Sequence, residues 1–160
     1  MHKTKVLFLD LENSTGSQMA EAYLRYLAGD LFEAFSAGIE PHELSLFASL
    51  VMDEVEINIA PHYSKNVKEY LTFHFKFVIT LCDLAYDRCP IFHSAEHFQH
   101  WYLPDTPTVQ GSFQASLDAF RVFRGQIEHR VWEFISSNSL SSSGETTRTM
   151  DKFGRFPGRQ

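Results

Sequence analysis

Three groups of polar residues follow apolar stretches of this sequence and could carry chemistry. The first is the segment from Asp10 to Ser17, which joins a short apolar run to a helical pattern. Cys82 and Cys89 come after a second apolar run, and Asp105 lies in a Pro-Asp-Thr-Pro turn. In open parallel sheets, ligands bind beyond the carboxyl ends of the strands. We therefore expect the three groups to meet at one edge of a sheet.

The segment 10–17 has the features of an anion-binding loop. A loop directly before a helix aims backbone N–H groups and the positive end of the helix dipole at one point. Asn13 and Gly16 tolerate the left-handed backbone that wraps a loop around a small ion. An ordinary strand-to-helix turn has the same spacing, so both interpretations remain open. The loop consists of Asp10, Leu11, Glu12, Asn13, Ser14, Thr15, Gly16 and Ser17.

The elements that must position these groups alternate between strand and helix patterns. Strands are predicted over 5–9, 31–36, 75–81 and 97–103. Helices are predicted from Ser17 to a stop at Gly29, around 46–51 and 67–71, and over 113–134 with an interruption at Arg124. Such alternation implies a parallel sheet with right-handed crossovers. The expected fold is a three-layer α/β domain, with a short, mainly parallel four-stranded sheet and helices on both faces.

The composition indicates one globular domain followed by a polar segment. The chain has 160 residues, of which 44% are hydrophobic, and a chain of about 150 residues buries roughly 70% of its unfolded surface. Residues 137–160 are rich in Ser and Thr. We therefore expect a domain over 1–136 and a disordered segment over 137–160, with docking of Phe153 and Phe156 as the alternative.

Charge and cysteine content exclude several classes of protein. The net charge of -6 argues against a nucleic-acid surface and against an anionic membrane. No apolar run approaches the ~20 residues of a bilayer span. Two cysteines do not form the disulfide framework of a small secreted domain. We expect a cytoplasmic protein that contacts neither nucleic acid nor membrane.

Several motifs, in order along the chain, resemble those of one family. They are Asn13-Ser14, Ser17-Gln18-Met19-Ala20, Ser36-Ala37-Gly38-Ile39, Val78-Ile79-Thr80-Leu81-Cys82-Asp83, Cys89-Pro90, His100-Trp101 and Pro104-Asp105. The sequence resembles the thioredoxin-coupled arsenate reductases, which share the fold of the low-molecular-weight protein tyrosine phosphatases. The resemblance runs from about residue 4 to residue 136 without large gaps.

The resemblance also implies catalytic roles for three loop positions, and this sequence departs from the family at two of them. The family loop begins with a nucleophilic Cys and ends with an oxyanion-binding Arg followed by Ser. Here Asp10 and Gly16 stand at the first two of these positions, and Ser17 is retained. A thiolate attacks the central atom of the oxyanion, and a guanidinium grips two of its oxygens. Because Asp10 and Gly16 supply neither group, we expect a degenerate loop without oxyanion chemistry.

The charges of the loop favour the same interpretation. Asp10 and Glu12 add two negative charges to a site for an anion. Two unit charges about 4 Å apart interact by roughly 4 kcal/mol at an effective dielectric near 20, which equals the free energy of a millimolar affinity, about 4 kcal/mol. We expect the carboxylate of Asp10 to occupy the loop itself and to accept hydrogen bonds from the amides of residues 13–17.

Two alternatives give Asp10 an active role. Asp10-Leu11-Glu12 also resembles the D-x-D start of the haloacid-dehalogenase-type phosphatases, in which the first Asp is a nucleophile assisted by Mg²⁺. Asp10, Glu12 and Asp105 could instead form a simple cation site, since clustered carboxylates suit hard cations. Apart from these alternatives, we expect no metal and no cofactor.

Cys82, Cys89 and Asp105 correspond, by the resemblance, to the resolving cysteine pair and the general acid. In the reductases the pair ends as a disulfide that thioredoxin reduces, so thioredoxin is an expected partner through Cys82 and Cys89, beside an unknown protein partner. Without the first cysteine, the pair could form a redox-switched loop or capture a soft metal or arsenite. Two buried thiols and a turn aspartate are the structural alternatives.

Taken together, the sequence predicts a binding or thiol-redox-responsive protein with the fold of this family. The alternative is an active arsenate reductase or phosphatase that uses Asp10 or Cys82 as an unorthodox nucleophile, with or without the help of a metal. The two hypotheses differ in whether the loop still turns over an oxyanion.

Overall fold

A computed structural model describes residues 2–90, 95–109 and 111–139. Its strands are β1 (Thr4–Asp10), β2 (Phe32–Gly38), β3 (Phe77–Thr80) and β4 (His97–His100). They form one parallel sheet in the order β2-β1-β3-β4. The helices are α1 (Gly16–Ala28), α2 (Leu46–Asp53), α3 (Asp83–Arg88) and α4 (Phe113–Asn138), with a 3-10 helix over Val67–Tyr70. The expected α/β fold with a four-stranded parallel sheet is confirmed.

The centre of the sheet is buried on both faces, as the continuous apolar run of β1 predicts. Val6 and Phe8 pack into a large core that they share with α1, α2 and α4. Leu7 and Leu9 point to the opposite face, where they pack with the 3-10 helix and Phe75 in a smaller core. The centre of the sheet is therefore covered on both sides, and its carboxyl-terminal edge is left for the loops.

Three strands differ from the sequence prediction by two residues or more at one end. β2 continues through Ala37 to Gly38, because Gly38 still pairs with Asp10 of β1. β3 is limited to Phe77–Thr80 and β4 to His97–His100, since the ladder between them spans only four residue pairs. The two apolar runs are thus longer than the strands they contain.

The predicted interruption of the last helix at Arg124 is wrong, because α4 is continuous over 26 residues. The guanidinium of Arg124 donates to the carbonyl oxygen of Val51 at 2.6 Å and to the Glu54 carboxylate at 3.0 Å. Both acceptors belong to the C-terminal end of α2, where a cation is favourable. Arg124 therefore links α4 to α2 and does not mark the end of a helix.

No apolar pattern predicts α3, which has six residues and follows Cys82 directly. Only one of its side chains, Ala85, is buried. A helix of this length with one buried residue produces no apolar periodicity, so the pattern could not predict it.

The division into a domain and a polar segment stays a prediction. Helix α4 runs to Asn138, two residues past the predicted boundary at 136. The segment 140–160, with Phe153 and Phe156, lies outside the described residues. In the part of the chain that the structure describes, no helix has the length and apolar character needed to cross a membrane.

Candidate functional site

The 10–17 loop connects β1 to α1, and the chain after β2 holds its backbone. Amides of that chain donate to carbonyl oxygens of the loop: Ile39 to Asp10, Glu40 to Leu11, His42 to Glu12 and Ser45 to Ser14. At Gly38 the two segments touch, since a Cβ there would lie 2.8 Å from the backbone nitrogen of Asn13. The loop is therefore shaped by neighbouring backbone.

Asn13 is the internal support of the loop. Its φ of 53° lies in the left-handed region, as expected for this residue type, and its side chain is fully buried. The side-chain amide donates to the hydroxyls of Ser17 (2.7 Å) and Ser36 (2.9 Å). Its oxygen accepts from the backbone N–H of Lys65 (2.9 Å) and from the Gln18 side chain (3.1 Å). Asn13 thus ties the loop to α1, β2 and the segment before the 3-10 helix.

The Asp10 carboxylate lies within the loop and accepts hydrogen bonds from two loop amides. The sequence prediction named the amides of residues 13–17, and these two are among them. One oxygen accepts from the Asn13 backbone N–H at 2.6 Å, and the other accepts from the Ser17 N–H at 2.9 Å. Ser17 is the second residue of α1, and Thr15, at the N-cap position, makes no side-chain cap. Asp10 therefore serves as the cap of α1, where a negative charge is favourable. Gly16, by contrast, is the first residue of α1 and has no positive φ.

Burial raises the pKa of Asp10 above its usual value. The amide of Ser17 and, to a smaller extent, that of Asn13 oppose this rise, while the charge of Glu12 adds to it. Because the loss of hydration dominates, Asp10 retains a proton to higher pH than an ordinary aspartate does.

The loop forms one wall of a cleft of about 620 Å³, and the other predicted groups face it. Cys82 and Asp105 line the same cleft, so the expected meeting of three segments at one sheet edge is found. Asn13 and Ser17 are buried behind the wall. The loop residues that line the cleft are Asp10, Leu11, Glu12, Ser14, Thr15 and Gly16.

The floor of the cleft beside Gly16 is apolar, which sequence reasoning did not foresee. A Cβ on Gly16 would lie 3.3 Å from the ring of Phe123, a buried residue of α4. Trp101 and Phe120 also line the cleft. No Lys or Arg among the described residues lines it, whereas five carboxylates do: Asp10, Glu12, Glu43, Asp83 and Asp105.

The two cysteines flank α3, and only one of them reaches the cleft. The Cys82 sulfur caps the helix by accepting from the Ala85 N–H at 3.4 Å. Cys89 lies at the other end and packs against the smaller core. Burial raises the pKa of both thiols, and the charges of Asp10 and Asp83 raise that of Cys82 further. At 1.5 Å per residue, their Cα atoms are about 10 Å apart along the helix.

The alternative of a simple cation site at Asp10, Glu12 and Asp105 is not supported by the described residues. Within the described residues, no group of three His, Cys, Asp or Glu side chains is arranged to hold a metal ion. The reason at Asp10 is direct, because both of its carboxylate oxygens accept backbone N–H groups. Asp105 is exposed at the mouth of the cleft.

A second cavity, of about 480 Å³, contains a charged cluster that sequence reasoning missed. The Glu21 side chain of α1 is only 6% exposed, and three bases surround it: Arg25 at 3.6 Å, His62 at 3.6 Å and Lys65 at 3.8 Å. Burial lowers the pKa of His62 and of Lys65, although Glu21 opposes both shifts. No sequence spacing signals this cluster, because residues 21 and 65 meet only in the fold.

The fold and the loop together define the class of protein. The chain belongs to the low molecular weight phosphotyrosine protein phosphatase family, whose pattern matches residues 5–145. An arsenate reductase of Oceanobacillus iheyensis is 34% identical to it over 137 residues, which cover 86% of this chain and 99% of the relative. The resemblance to arsenate reductases is therefore confirmed at the level of the family.

Two solved structures agree with this assignment. An arsenate reductase in the phosphate binding state superimposes with a TM-score of 0.70 and 30% identity, covering 84% of this chain and 98% of that one. The thioredoxin-dependent arsenate reductase of Corynebacterium glutamicum gives a TM-score of 0.70 and 26% identity, covering 88% of this chain and 64% of that one.

Proposed function

We propose that this chain is a member of the family in which the anion loop is filled by its own carboxylate. In this proposal the positions of the nucleophilic Cys and the oxyanion-binding Arg are taken by Asp10 and Gly16, and the protein binds a partner or responds to thiol redox state. The observation that carries it is the pair of hydrogen bonds from the Asn13 and Ser17 amides to Asp10. These amides are then not available to an oxyanion.

The charges of the cleft support the absence of oxyanion chemistry. Five carboxylates and no Lys or Arg line it within the described residues. Phe123 fills the space beside Gly16, where a guanidinium would have to enter. An oxyanion would therefore meet repulsion without a compensating cation.

The alternative of an active enzyme with an unorthodox nucleophile has less support. Both oxygens of Asp10 are engaged by backbone amides, which lowers their availability for attack. Burial raises the pKa of Cys82, so less of it is thiolate at neutral pH. Assays on the protein itself decide between the two hypotheses.

The test compares the parent with an Asp10→Cys/Gly16→Arg variant, in assays of arsenate-dependent thioredoxin oxidation and p-nitrophenyl phosphate hydrolysis. Because Phe123 would contact any side chain at 16, a third variant adds Phe123→Leu. An inactive parent and an active double or triple variant support the proposal. Activity in the parent that is lost in Asp10→Ala contradicts it, as does calorimetric binding of arsenate by the parent at millimolar concentration.

We also propose that Cys82 and Cys89 form the redox-responsive element, with thioredoxin as the reductant. A thioredoxin-dependent relative supports this partner. Oxidation would join the two sulfurs and pass two electrons and two protons to an oxidant such as peroxide. A disulfide needs Cα atoms about 4.4–6.8 Å apart, so α3, which separates the two Cα atoms by about 10 Å, would have to unwind. Because reduced thiols persist in the cytoplasm, we propose a cytoplasmic location.

Mass spectrometry after mild peroxide treatment tests the redox proposal. We expect an intramolecular disulfide that thioredoxin reduces, and faster formation in Ala85→Gly, because glycine weakens α3 by about 1 kcal/mol. Ala48→Gly, a buried alanine of α2, is the matched control and should not change the rate. Free thiols only, or disulfide-linked dimers only, would argue against the proposal.

A further inference from the structure

The cleft above the loop has apolar walls that the described residues leave open. Tyr102 is 83% exposed, Val109 is 63% exposed and Leu84 is 53% exposed, and all three line the cleft. Trp101 and Phe123 form its inner surface. A concave surface with exposed apolar side chains of this size is typical of a binding site.

The rim of this cleft carries negative charge without compensation. Glu12, Glu43 and Asp105 are exposed, and none of them forms an ion pair with a Lys, Arg or His of the described residues. The occupant of the cleft should therefore combine apolar groups with positive charge.

The segment 140–160 of this chain has that composition. It contains four basic and two acidic residues, a net charge of +2, whereas the other 139 residues carry a net charge of -8. Its last part, 152–160, has three basic residues (Lys152, Arg155, Arg159), two phenylalanines (Phe153, Phe156) and no acidic residue. Phenyl rings suit the apolar walls, and guanidinium groups pair with carboxylates and stack on aromatic rings.

Helix α4 fixes the starting point of this segment at a suitable distance. Phe123 lines the cleft and α4 ends at Asn138, so the helix end lies about 22 Å from the level of Phe123, at 1.5 Å per residue. Thirteen residues, 139–151, separate the end of α4 from Lys152 in the sequence. A flexible linker of that length has a root-mean-square span of about 20 Å and an extended reach of about 43 Å.

We propose that residues 152–160 dock in the cleft above the anion loop of the same chain, with the basic groups on the acidic rim and the two phenylalanines against the apolar walls. The tether supports occupancy, because a linker that matches its span gives an effective concentration of about 1 mM or higher. This inference deepens the proposed binding function, since it names the chemistry of the ligand.

Paramagnetic relaxation in the full-length chain tests the docking. A nitroxide is attached at Gly154→Cys in a Cys82→Ser/Cys89→Ser background, and amide signals are compared between the oxidised and reduced label. We expect at least a twofold loss of intensity at Glu43 and Asp105, and no loss at Arg25 and Glu33 around the second cavity. Raising salt from 0.1 to 1 M shortens the Debye length from about 10 to about 3 Å and should weaken the effect.

Two sets of variants identify the groups involved. Lys152→Gln/Arg155→Gln/Arg159→Gln should abolish the intensity loss at the cleft, and Arg148→Gln, which neutralises a basic residue outside 152–160, is the matched control. On the other side, Glu12→Gln/Glu43→Gln/Asp105→Asn should also abolish it, whereas Glu33→Gln should not.

Several results would overturn the inference. They are an intensity loss centred elsewhere, no loss at all, or a loss that survives neutralisation of either partner. As a control, nitroxide-labelled chains without ¹⁵N are mixed with unlabelled ¹⁵N-enriched chains. If the intensity loss appears only in this mixture, the segment docks on a second copy, and docking within one chain is overturned. The experiment measures the proximity of residue 154 to the cleft and not activity. Docking can therefore be absent while the loop is inactive toward arsenate, and docking can be present while the loop is active.

Discussion

Two carboxylates that interact with α1 are shielded from water by different partners. Asp10, the last residue of β1, accepts two backbone N–H groups, one of them from α1. Glu21, within α1, is surrounded by Arg25, His62 and Lys65. Burial raises the pKa of Asp10, whereas in the Glu21 cluster burial lowers the pKa of the bases His62 and Lys65.

Backbone amides and charged side chains contribute differently to a buried carboxylate. Peptide N–H groups fix the position of a carboxylate, but they carry no net charge, so Asp10 leaves its cleft negative. The Arg25 and Lys65 cations lie 3.6 and 3.8 Å from the Glu21 carboxylate and offset its charge. Asn13 connects the two arrangements, since it donates its N–H to Asp10 and accepts from the N–H of Lys65.

The largest expected effect comes from breaking this connection with Asn13→Ala. The substitution removes two side-chain donations and leaves the Lys65 N–H without its acceptor, in a left-handed backbone that alanine disfavours. We expect the free energy of unfolding, measured in urea, to fall by about 4 kcal/mol. Asn66→Ala, which removes the cap of the 3-10 helix, should cost about 1 kcal/mol. Equal losses in the two variants would contradict the linking role of Asn13.

A somewhat smaller loss is expected from Glu21→Gln. The variant leaves Lys65, whose side chain is 10% exposed, near an uncharged amide. Loss of one partner from a buried pair costs about 3 kcal/mol, the lower end of its range, because Arg25 is half exposed. Glu33→Gln, at an exposed position of the same cavity, should change stability by less than about 0.5 kcal/mol. A small effect at Glu21 would show that the bases need no counter-charge.

Asp10→Asn should change the pH dependence of stability. Because the folded pKa is raised above the usual 3.8, native Asp10 keeps a proton that the unfolded chain releases. Its contribution is therefore full below pH 3.8 and is lost as pH rises through the raised value. We expect urea unfolding to show this loss in the parent and not in Asp10→Asn. Asp87→Asn, at an exposed position of α3, should follow the parent, and a profile of Asp10→Asn parallel to the parent would contradict the raised pKa.

The smallest expected effect is the opposite pH dependence at His62. Since its folded pKa lies below the usual 6.5, the unfolded chain binds a proton that native His62 does not. Stability from this group is present above pH 6.5 and is lost as pH falls through the lowered value. His62→Gln should remove this loss, and His42→Gln, at an exposed position, should not. If the changes in slope for Asp10→Asn and His62→Gln had the same sign, the proposed contrast between the two carboxylates would be wrong.

Most elements of the fold could be predicted from the sequence, but only the part of the site that lies close together along the chain. Local patterns predicted β1, α1 and the loop at the sheet edge, because burial on two faces and helical spacing are properties of short segments. They failed at Arg124, whose charge is used by α2, and at α3, which has one buried side chain. Failures of this kind arise where a distant segment decides the role of a residue.

The same reason explains which parts of the site were missed. The carboxylate of Asp10 could be assigned to the loop amides because both lie within eight consecutive residues. Phe123 under Gly16 and the bases around Glu21 come from segments far along the chain. The alternative of a cation site at Asp10, Glu12 and Asp105 fails within the described residues, because the same backbone N–H groups that the loop sequence predicts for Asp10 occupy both of its oxygens.

The contact between Gly38 and the loop has a consequence for how such a protein can change over generations. A side chain at 38 would collide with the backbone of residues 11–13, so a substitution of this glycine would disturb the loop. Under the proposed function the reactive groups are replaced at positions 10 and 16, away from the residues that a side chain at 38 would meet. Replacements at those two positions would therefore leave the backbone shape of the loop in place.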